Sequence, residues 1–357
     1  MSSASHYALL GRLAAGENLS FDETSDAVEG IMRGFWTEGE IGLFLTGLRD
    51  KGETEHEVAG AAAAMRGQMR RIASSRTGII DTCGTGGVGS TIFNVSTTAA
   101  LVTAAAGVPV AKHGNRRVTS RSGSADVLAE LGVNVQAELD VVERSLDELG
   151  ICFCFAPLMH AAMKHVAPVR QKLGGRTIFN LLGPLTNPAG AEFQLLGVGR
   201  SELRPLLARA LALLKTRRAV VVSGDDGLGE VTIAGPTHVT EVETSRLAAA
   251  VDPAEALPPS SHTKEYDWSP ADFDVVQGSV EAASVDSPAA SAAIIRKVLA
   301  GEKGAARDLV VVNAAAALWT AGRAPDTLAT AAIAREAIDS GAAEQLLAKL
   351  VAVTNSK

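Results

Sequence analysis

The sequence predicts an α/β protein, in which a small N-terminal helical domain precedes a large domain with a central, mostly parallel sheet flanked by helices. Two observations lead to this fold class. Helix-capping signals recur through the first 74 residues, and from residue 76 to about residue 250 short apolar runs alternate with helical segments. We therefore assign residues 1–75 to the helical domain and residues 76–357 to the α/β domain.

The helical domain is marked by capping boxes, in which a hydroxyl residue is followed three positions later by a glutamate. The pairs are Ser20 with Glu23, Thr37 with Glu40, and Thr54 with Glu57, at a constant step of 17 residues. After Thr37, apolar residues at positions 41, 44, 45 and 48 predict a helix with one buried face. So small and apolar a bundle often completes its core against a second copy, so we expect a homodimer.

The α/β domain is predicted from apolar or β-branched runs that alternate with helices. Expected strands are 77–82, 108–111, 151–155, 192–196 and 219–222, with helices at 94–106, 126–131, 140–149 and 201–214. The proline-containing segment 165–188 is expected to be loop and short helix. Residues 252–288 are expected to be a surface excursion with an edge strand at 273–277, followed by helices at 288–300 and 306–321, with Asn313 buried in the second.

Composition narrows the class of protein. A net charge of -7 argues against general nucleic-acid binding, and the cations concentrate between residues 112 and 121. No apolar run reaches the ~18 residues that a membrane span needs, and the N-terminal residues do not resemble a signal peptide. The chain has three cysteines, and so low and odd a count does not make a disulfide framework. We therefore expect the protein to reside in the reducing cytoplasm.

Two loops follow the first two strands of the α/β domain. The first contains four glycines between positions 84 and 89 and leads into a helix opened by Asn94, Ser96 and Thr97. Glycine lets main-chain N–H groups approach a ligand closely, and a helix N-terminus favours an anion. The second loop, at 112–124, is rich in Lys, Arg, Ser and Thr. The first loop alone would fit a tight turn, but the two together predict a phosphate site that is neither a P-loop nor a dinucleotide fingerprint.

At these residues the chain resembles the anthranilate phosphoribosyltransferases, which belong to the nucleoside-phosphorylase-like phosphoribosyltransferases. The similarity runs from about residue 6 to about residue 350. The matching runs are GTGG at 84–87, FNVST at 93–97, KHGNR at 112–116, SGSAD at 122–126, HVAPVR at 165–170 and RTIFNLLGPLTNP at 176–188. The resemblance implies that about residues 168–190 pack with the helical domain, and that this domain forms the dimer.

The resemblance also implies a reaction: transfer of a phosphoribosyl group from phosphoribosyl diphosphate to anthranilate in tryptophan biosynthesis, with Mg²⁺ as cofactor. The implied contacts to phosphoribosyl diphosphate are Gly84, Gly87, Asn94, Ser96, Thr97, Lys112, His113, Gly114, Asn115, Arg116, Ser120 and Ser124. The implied contacts to anthranilate are Gly84, Asn115 and Arg170, and the implied Mg²⁺ ligands are Ser96 and Glu230, with Asp226 as a further candidate.

No residue is assigned as a catalytic acid or base, because the aromatic amine is already a neutral nucleophile. Instead, we expect Lys112, Asn115 and Arg116 to stabilise the negative charge that grows on the departing pyrophosphate. His113 could orient the amine or donate to a phosphate, and its position in the sequence does not decide between these roles.

Three positions depart from the family pattern, and all lie in the phosphate or metal site. Val88 and Gly229 replace aspartates, and Ile92 replaces a threonine. We expect weaker binding of phosphoribosyl diphosphate, and higher activity when aspartate is restored at 88 and 229. Two other functions stay open. The chain could be a degenerate paralogue that binds a phosphorylated ligand with little catalysis, or a nucleoside phosphorylase-like enzyme, since Gly-Gly-Val-Gly at 86–89 also resembles the loop of pyrimidine nucleoside phosphorylases.

Overall fold

The structure is a computed structural model that describes residues 3–86, 91–116, 122–244 and 263–356. Within these ranges the helices are α1 (Ser3–Ala14), α2 (Phe21–Met32), α3 (Glu38–Lys51), α4 (Glu55–Gln68), α5 (Val95–Ala105), α6 (Ser124–Glu130), α7 (Leu139–Leu149), α8 (Ala156–Met159), α9 (Ala167–Leu173), α10 (Phe179–Leu182), α11 (Arg204–Leu213), α12 (Pro288–Leu299), α13 (Ala305–Thr320), α14 (Thr327–Asp339) and α15 (Ala342–Asn355). The strands are β1 (Ile80–Gly84), β2 (Val110–Gly114), β3 (Ile151–Phe155), β4 (Phe193–Gly197), β5 (Arg218–Gly224), β6 (Thr237–Glu243) and β7 (Thr263–Trp268).

The seven described strands form one sheet in the order β3-β2-β1-β4-β5-β6-β7. β3, β2, β1, β4 and β5 are parallel to one another, whereas β6 and β7 are antiparallel additions at one edge. The fold class expected from the sequence is confirmed, and each of the five expected strands is found within a few residues of its expected position. From β1 the chain moves outward to β2 and β3 and then returns to β4 on the other side. The carboxyl ends of β1 and its neighbours therefore frame a crevice, where α/β sheets usually bind ligands.

All three capping boxes form, so α2, α3 and α4 begin where the sequence predicts. The apolar face of α3 is buried, as expected from its spacing. Glu57 does more than cap α4. Its fully buried carboxylate accepts from the N–H of Leu19 at 2.8 Å and from Nζ of Lys51 at 2.9 Å. A single side chain thus ties the start of α2 and the end of α3 to α4.

The segment between β3 and β4 packs against this bundle. Val169 on α9 and Phe179 on α10 share one apolar core with the bundle residue Phe44, and α9 lies against α3. Arg176 forms an ion pair with Glu53 of the bundle, with Nη2 and Oε2 2.9 Å apart. The same core continues through α11 to one face of β4 and β5. The division of the chain at residue 75 stays a prediction.

The C-terminal third differs from expectation in one respect and adds elements that were not predicted. The edge strand is β7, Thr263–Trp268, and not 273–277. Phe273 is fully buried because a 3-10 turn at Pro270–Phe273, capped by Ser269, turns its ring onto Trp268. β6, α14 and α15 were not predicted. Residues 252–262 of the expected surface excursion lie outside the described residues.

The second large core lies between the sheet and helices α5, α6 and α12–α15. α12 and α13 occupy the expected ranges to within a residue. Asn313 is buried in α13, as expected, where its side chain both accepts from the N–H of Val231 at 2.9 Å and donates to its carbonyl at 2.8 Å. This pairing fixes the chain just after Glu230. None of the described helices has the length and apolarity that crossing a membrane requires.

Candidate active site

A cleft of about 350 Å³ lies at the carboxyl ends of β1, β2 and β4. Most residues singled out from the sequence converge here. The lining residues are Cys83, Gly84, Thr85, Gly86, Ile92, Phe93, Asn94, Ser96, Lys112, His113, Gly114, Asn115, Arg116, Ser122, Gly123, Ser124, Arg170, Asn180, Gly197, Gly199, Gly229 and Glu230. The described parts of the two loops therefore share a cleft, because the parallel strands that precede the loops are neighbours in the sheet.

Glycines let three main-chain segments meet at one end of the cleft. Gly84 pairs with Gly197 across β1 and β4, and a Cβ on Gly84 would lie 3.0 Å from the Gly197 carbonyl oxygen. A Cβ on Gly197 would lie 1.8 Å from the carbonyl oxygen of Gly229. A Cβ on Gly229 would in turn lie 2.9 Å from the N atom of Gly199. The turn before Glu230 therefore rests directly on the end of β4, and an aspartate at 229 does not fit without a backbone shift.

The floor of the cleft holds a cation, a hydroxyl and a carboxylate. Lys112, buried on β2, donates its Nζ to the Thr82 carbonyl and lies 3.3 Å from Oγ of Ser96 in the first turn of α5. Burial raises the pKa of Glu230 to about 7, although the charge of Lys112 and the N–H of Ser96 oppose that rise. The three groups present both signs of charge to the same small volume.

Asn94 precedes α5 and also lines the cleft, but its side chain is engaged within the protein. Its Oδ1 accepts from Oγ of Ser122 at 2.7 Å and from Oγ of Ser291 at 2.8 Å, while its Nδ2 donates to the Ser122 carbonyl at 3.2 Å. Asn94 thus joins the start of α5 to the end of the second loop and to α12. This geometry makes Asn94 a residue that positions both loops.

The second loop supplies Asn115, Arg116 and Ser124. Asn115 accepts with its carbonyl oxygen from the N–H of Ala125 at 3.1 Å, which closes the loop onto α6. Its Oδ1 accepts from the N–H of Arg116 at 2.7 Å. Arg116 pairs with Asp126 across 3.2 Å and is half exposed, so its guanidinium lies at the mouth of the cleft. Gly114 is needed beneath them, since a Cβ there would lie 2.2 Å from Oγ of Ser124.

His113 lines the cleft, but the structure does not leave its ring free for a ligand. Nδ1 lies 2.9 Å from the Gly183 carbonyl, and Nε2 lies 3.3 Å from Nε2 of His160. Its main-chain N–H donates to the buried carboxylate of Asp81 at 3.1 Å. Both expected roles, orienting the amine and donating to a phosphate, would require breaking this network. His113 instead anchors the second strand to the segment that carries Gly183.

Arg170 stands on the opposite side of the cleft, on α9. Its Nη2 donates to Oδ1 of Asn180 at 3.2 Å, and its guanidinium lies 5.9 Å from the ring centroid of Phe179. Burial lowers the pKa of Arg170. No described acidic residue forms an ion pair with it, so this cation can accept a carboxylate from a ligand.

Two residues expected at the site are not brought to the cleft. The side chain of Thr97 is buried against Leu101 and Leu128, and its hydroxyl has no partner among the described residues. Asp226 lies in a surface turn, where its carboxylate accepts from the N–H of Leu228 at 3.1 Å and from Oγ1 of Thr232 at 2.6 Å. Gly87, Val88 and Ser120 lie outside the described residues.

The structure adds site residues that the sequence reasoning missed. Gly197 and Gly199 line the cleft, and their position directly after an expected strand was an available signal. Asn180 lies inside a matched run, yet only the fold reveals that it holds Arg170. His160 had no signal in the sequence, because its partner His113 is 47 residues away.

Two family models match the chain. The model for the glycosyl transferase family helical bundle domain matches residues 7–69, and the model for the α/β domain of that family matches residues 76–344. The chain is 49% identical to an anthranilate phosphoribosyltransferase of Rhodospirillum rubrum, over 97% of this chain and 94% of that protein. It is 48% identical to one from Anaeromyxobacter dehalogenans, over 97% of each.

Solved structures agree with the sequence relatives. Anthranilate phosphoribosyltransferase from Thermus thermophilus superposes with a TM-score of 0.88 at 39% identity, over 97% of this chain and 99% of that one. The enzyme from Saccharomyces cerevisiae, solved in complex with PRPP and Mg, superposes with a TM-score of 0.86 at 27% identity, over 100% and 99%. The two family models, these relatives and the solved structures together show that the chain belongs to the anthranilate phosphoribosyltransferase family.

Proposed function

We propose that the protein transfers the phosphoribosyl group of phosphoribosyl diphosphate to anthranilate, giving phosphoribosylanthranilate and pyrophosphate in tryptophan biosynthesis. One observation carries this proposal most directly. The same cleft has the ammonium of Lys112 and the hydroxyl of Ser96 at its floor, and on its opposite side it has a half-buried arginine, Arg170, that forms no ion pair with any described acidic residue. A diphosphate and an aromatic carboxylate are anions that such an arrangement accepts.

In the reaction the bond between C1 of the ribose and the diphosphate oxygen breaks, and the amine nitrogen forms a bond to C1. The amine proton passes to solvent, so no protein base is required. Negative charge grows on the departing diphosphate, and the buried ammonium of Lys112 stabilises it where water is largely excluded. Arg170 holds the anthranilate carboxylate and so orients the amine toward C1.

The cleft residues divide between the two substrates in this proposal. Gly84, Ser96, Lys112, Gly114, Asn115, Arg116 and Ser124 contact phosphoribosyl diphosphate, together with Gly87 and Ser120 from outside the described residues. Gly84, Asn115 and Arg170 contact anthranilate. Asn94 and His113 act by positioning the loops, since their side chains are engaged inside the protein. Thr97 contributes at most its main-chain N–H in the first turn of α5.

The described residues of the cleft fit a Mg²⁺ ion that enters bound to phosphoribosyl diphosphate. Among the described residues no group of three or more His, Cys, Asp or Glu side chains could hold a metal ion. Glu230 and the hydroxyl of Ser96 both line the cleft, and Mg²⁺ commonly uses one or two protein oxygens together with phosphate oxygens and water. When bound, the ion would neutralise charge on the diphosphate. Glu230 and Ser96 would hold it, and Asp226 would not.

We also propose a cytoplasmic homodimer. Three large apolar side chains of the helical part are about 60% exposed or more: Tyr7 at 65%, Phe35 at 62% and Leu43 at 61%. A second copy would cover such side chains. The three cysteines are all unpaired and buried, which suits a reducing compartment.

The test of the activity is an assay with purified protein, phosphoribosyl diphosphate, Mg²⁺ and anthranilate. We expect anthranilate fluorescence to fall while one pyrophosphate forms for each anthranilate consumed. Release of free base from a nucleoside and phosphate would instead support the nucleoside phosphorylase-like function. If neither reaction occurs but phosphoribosyl diphosphate raises the melting temperature, the protein is a binding paralogue.

A further inference from the structure

A second cavity lies at the opposite end of the parallel strands from the active-site cleft. It has a volume of about 470 Å³ and opens where β4 and β5 begin, whereas the cleft lies where the parallel strands end. Its walls come from three parts of the chain: the end of α4 and the connection after it, the segment 184–192, and the turn between α11 and β5. It therefore spans the junction between the helical bundle and the sheet.

Four cations line this cavity: Arg66, Arg71, Lys215 and Arg217. Two acidic side chains also line it: Glu192, whose Oε2 is already paired with Arg217 across 3.0 Å, and the buried Asp81, whose carboxylate accepts hydrogen bonds from Asn187 and His113. Arg66, Arg71 and Lys215 form no ion pair with any acidic residue in the described part of the chain. In a chain whose net charge is -7, this local excess of positive charge is unusual.

Of the four cations, Arg66 gives the strongest indication of an anion site. It is half buried, and its Nε donates to the Leu185 carbonyl at 2.7 Å. This hydrogen bond fixes the orientation of the guanidinium. Its two Nη groups have no acceptor among the described residues. Burial lowers the pKa of Arg66, as expected for a cation that lacks a counter-charge. A partly desolvated guanidinium without a carboxylate is costly, and a bound anion would remove that cost.

We propose that this cavity is a second ligand site, which binds a small anion with two or more acid groups, such as a polycarboxylate or a phosphate. Arg66 and Arg71 from the bundle side and Lys215 from the sheet side contact the anion together. The bound anion thus clamps the bundle to the sheet. This proposal does not depend on the reaction proposed for the cleft.

The floor of the cavity connects it with the cleft. Asp81 on β1 lines the cavity, and its two carboxylate oxygens accept from Nδ2 of Asn187 at 2.8 Å and from the N–H of His113 at 3.1 Å. His113 is the neighbour of Lys112, the cation of the cleft floor. An anion that shifts Asn187 or Asp81 would therefore also shift the backbone of β2 at His113. This last step rests on the proposed function: in an active transferase, occupancy of the cavity should change the Michaelis constant for phosphoribosyl diphosphate.

The experiment is a calorimetric titration of the intact protein with citrate, and separately with inorganic phosphate. The test variant is Arg71→Ala with Lys215→Asn, because neither side chain forms a hydrogen bond or ion pair with a residue in the described part of the chain. Asparagine also tolerates the left-handed backbone of Lys215, whose φ is 57°. We expect dissociation constants about tenfold weaker or more for this variant. Arg116→Ala, at the mouth of the cleft, is the comparison that separates the two sites, and it should retain the citrate binding that the double variant loses.

Two results would overturn the proposal. One is that neither anion binds the wild-type protein at millimolar concentration. The other is that the double variant binds as tightly as the wild type; loss of binding in Arg116→Ala would then place the anion in the cleft. The melting temperature without ligand checks the fold, and Arg71→Ala alone, at an exposed position, repeats the test should the double variant melt early.

Discussion

The Nε2 atoms of His113 and His160 lie 3.3 Å apart beside the active-site cleft. Nδ1 of His113 donates to the Gly183 carbonyl, so in a neutral ring its Nε2 accepts, and the N–H of His160 donates to it. This arrangement requires both rings to be neutral in the folded protein. Burial, with the nearby His160, lowers the pKa of His113 to about 3, and burial lowers that of His160 to about 4.

This pair makes stability depend on pH. The unfolded chain binds protons on both rings below the ordinary value of 6.5, whereas in the folded protein His160 binds a proton only near pH 4 and His113 only near pH 3. The contribution of the pair to stability should therefore fall as pH drops from 6.5, by up to about 1.4 kcal/mol per pH unit for each ring, and should level off near pH 4 for His160 and near pH 3 for His113. Urea denaturation at pH 7.5, 6.0 and 5.0 measures this slope.

The variant His160→Gln keeps an amide donor for His113 but removes one titrating ring, so its slope should be about half that of the wild type. His56→Gln, at an exposed position, is the control and should leave the slope unchanged. Equal slopes for wild type and His160→Gln would show that the pair is not held neutral.

Arg170→Ala tests the assignment of the carboxylate site. Loss of a charged hydrogen bond of about 1.5–3 kcal/mol should lower kcat/KM for anthranilate by roughly 10- to 150-fold. Aniline has no carboxylate, so its slow turnover should be insensitive to the change. Lys172→Ala, on the same helix but exposed, is the control. An equal loss with aniline would mean that Arg170 acts on the fold and not on the carboxylate.

Ile92→Thr tests whether the apolar side chain of Ile92 in the cleft weakens the binding of phosphoribosyl diphosphate. A hydroxyl that regains one hydrogen bond of about 0.5–1.5 kcal/mol should lower the KM for phosphoribosyl diphosphate roughly two- to tenfold. Ile92→Val shortens the side chain without adding a hydroxyl and should not improve KM. The account fails here if valine and threonine have the same effect.

Gly229→Asp has an outcome opposite to the one that sequence alone suggests. A Cβ at 229 would lie 2.9 Å from the N atom of Gly199, so the variant should lose about 1–3 kcal/mol of stability, and Gly229→Ala should lose a similar amount. Thermal denaturation of both variants measures the loss. A Gly229→Asp protein that is as stable as the wild type and more active with Mg²⁺ would restore the sequence-based expectation.

Glu57→Ala should be the most damaging of these changes to the helical part. It leaves Lys51 buried without its partner and frees the N–H of Leu19, which should cost about 3–5 kcal/mol. Glu55→Ala, which removes a more exposed ion pair with Arg209, should cost far less. Denaturant midpoints compare the two, and equal losses would contradict the role given to Glu57.

The sequence predicts what is local and misses what is distant. The capping boxes and the five parallel strands depend on patterns within a few residues, and these expectations are confirmed. The engagement of Asn94 could not be predicted, because its partner Ser291 is 197 residues away. Thr97 was placed at the site from its motif, yet the phase of α5 turns its hydroxyl into the core. Asp226 was likewise placed at the site from its motif, yet its carboxylate accepts hydrogen bonds within a tight surface turn.

The most direct test of the central claim is a crystal structure of the protein with phosphoribosyl diphosphate. The account predicts the diphosphate in the cleft, within hydrogen-bonding distance of Lys112 and Ser96, with Arg170 left free for the acceptor. A diphosphate found away from the ends of β1 and β2, with Lys112 and Ser96 uncontacted, would contradict it.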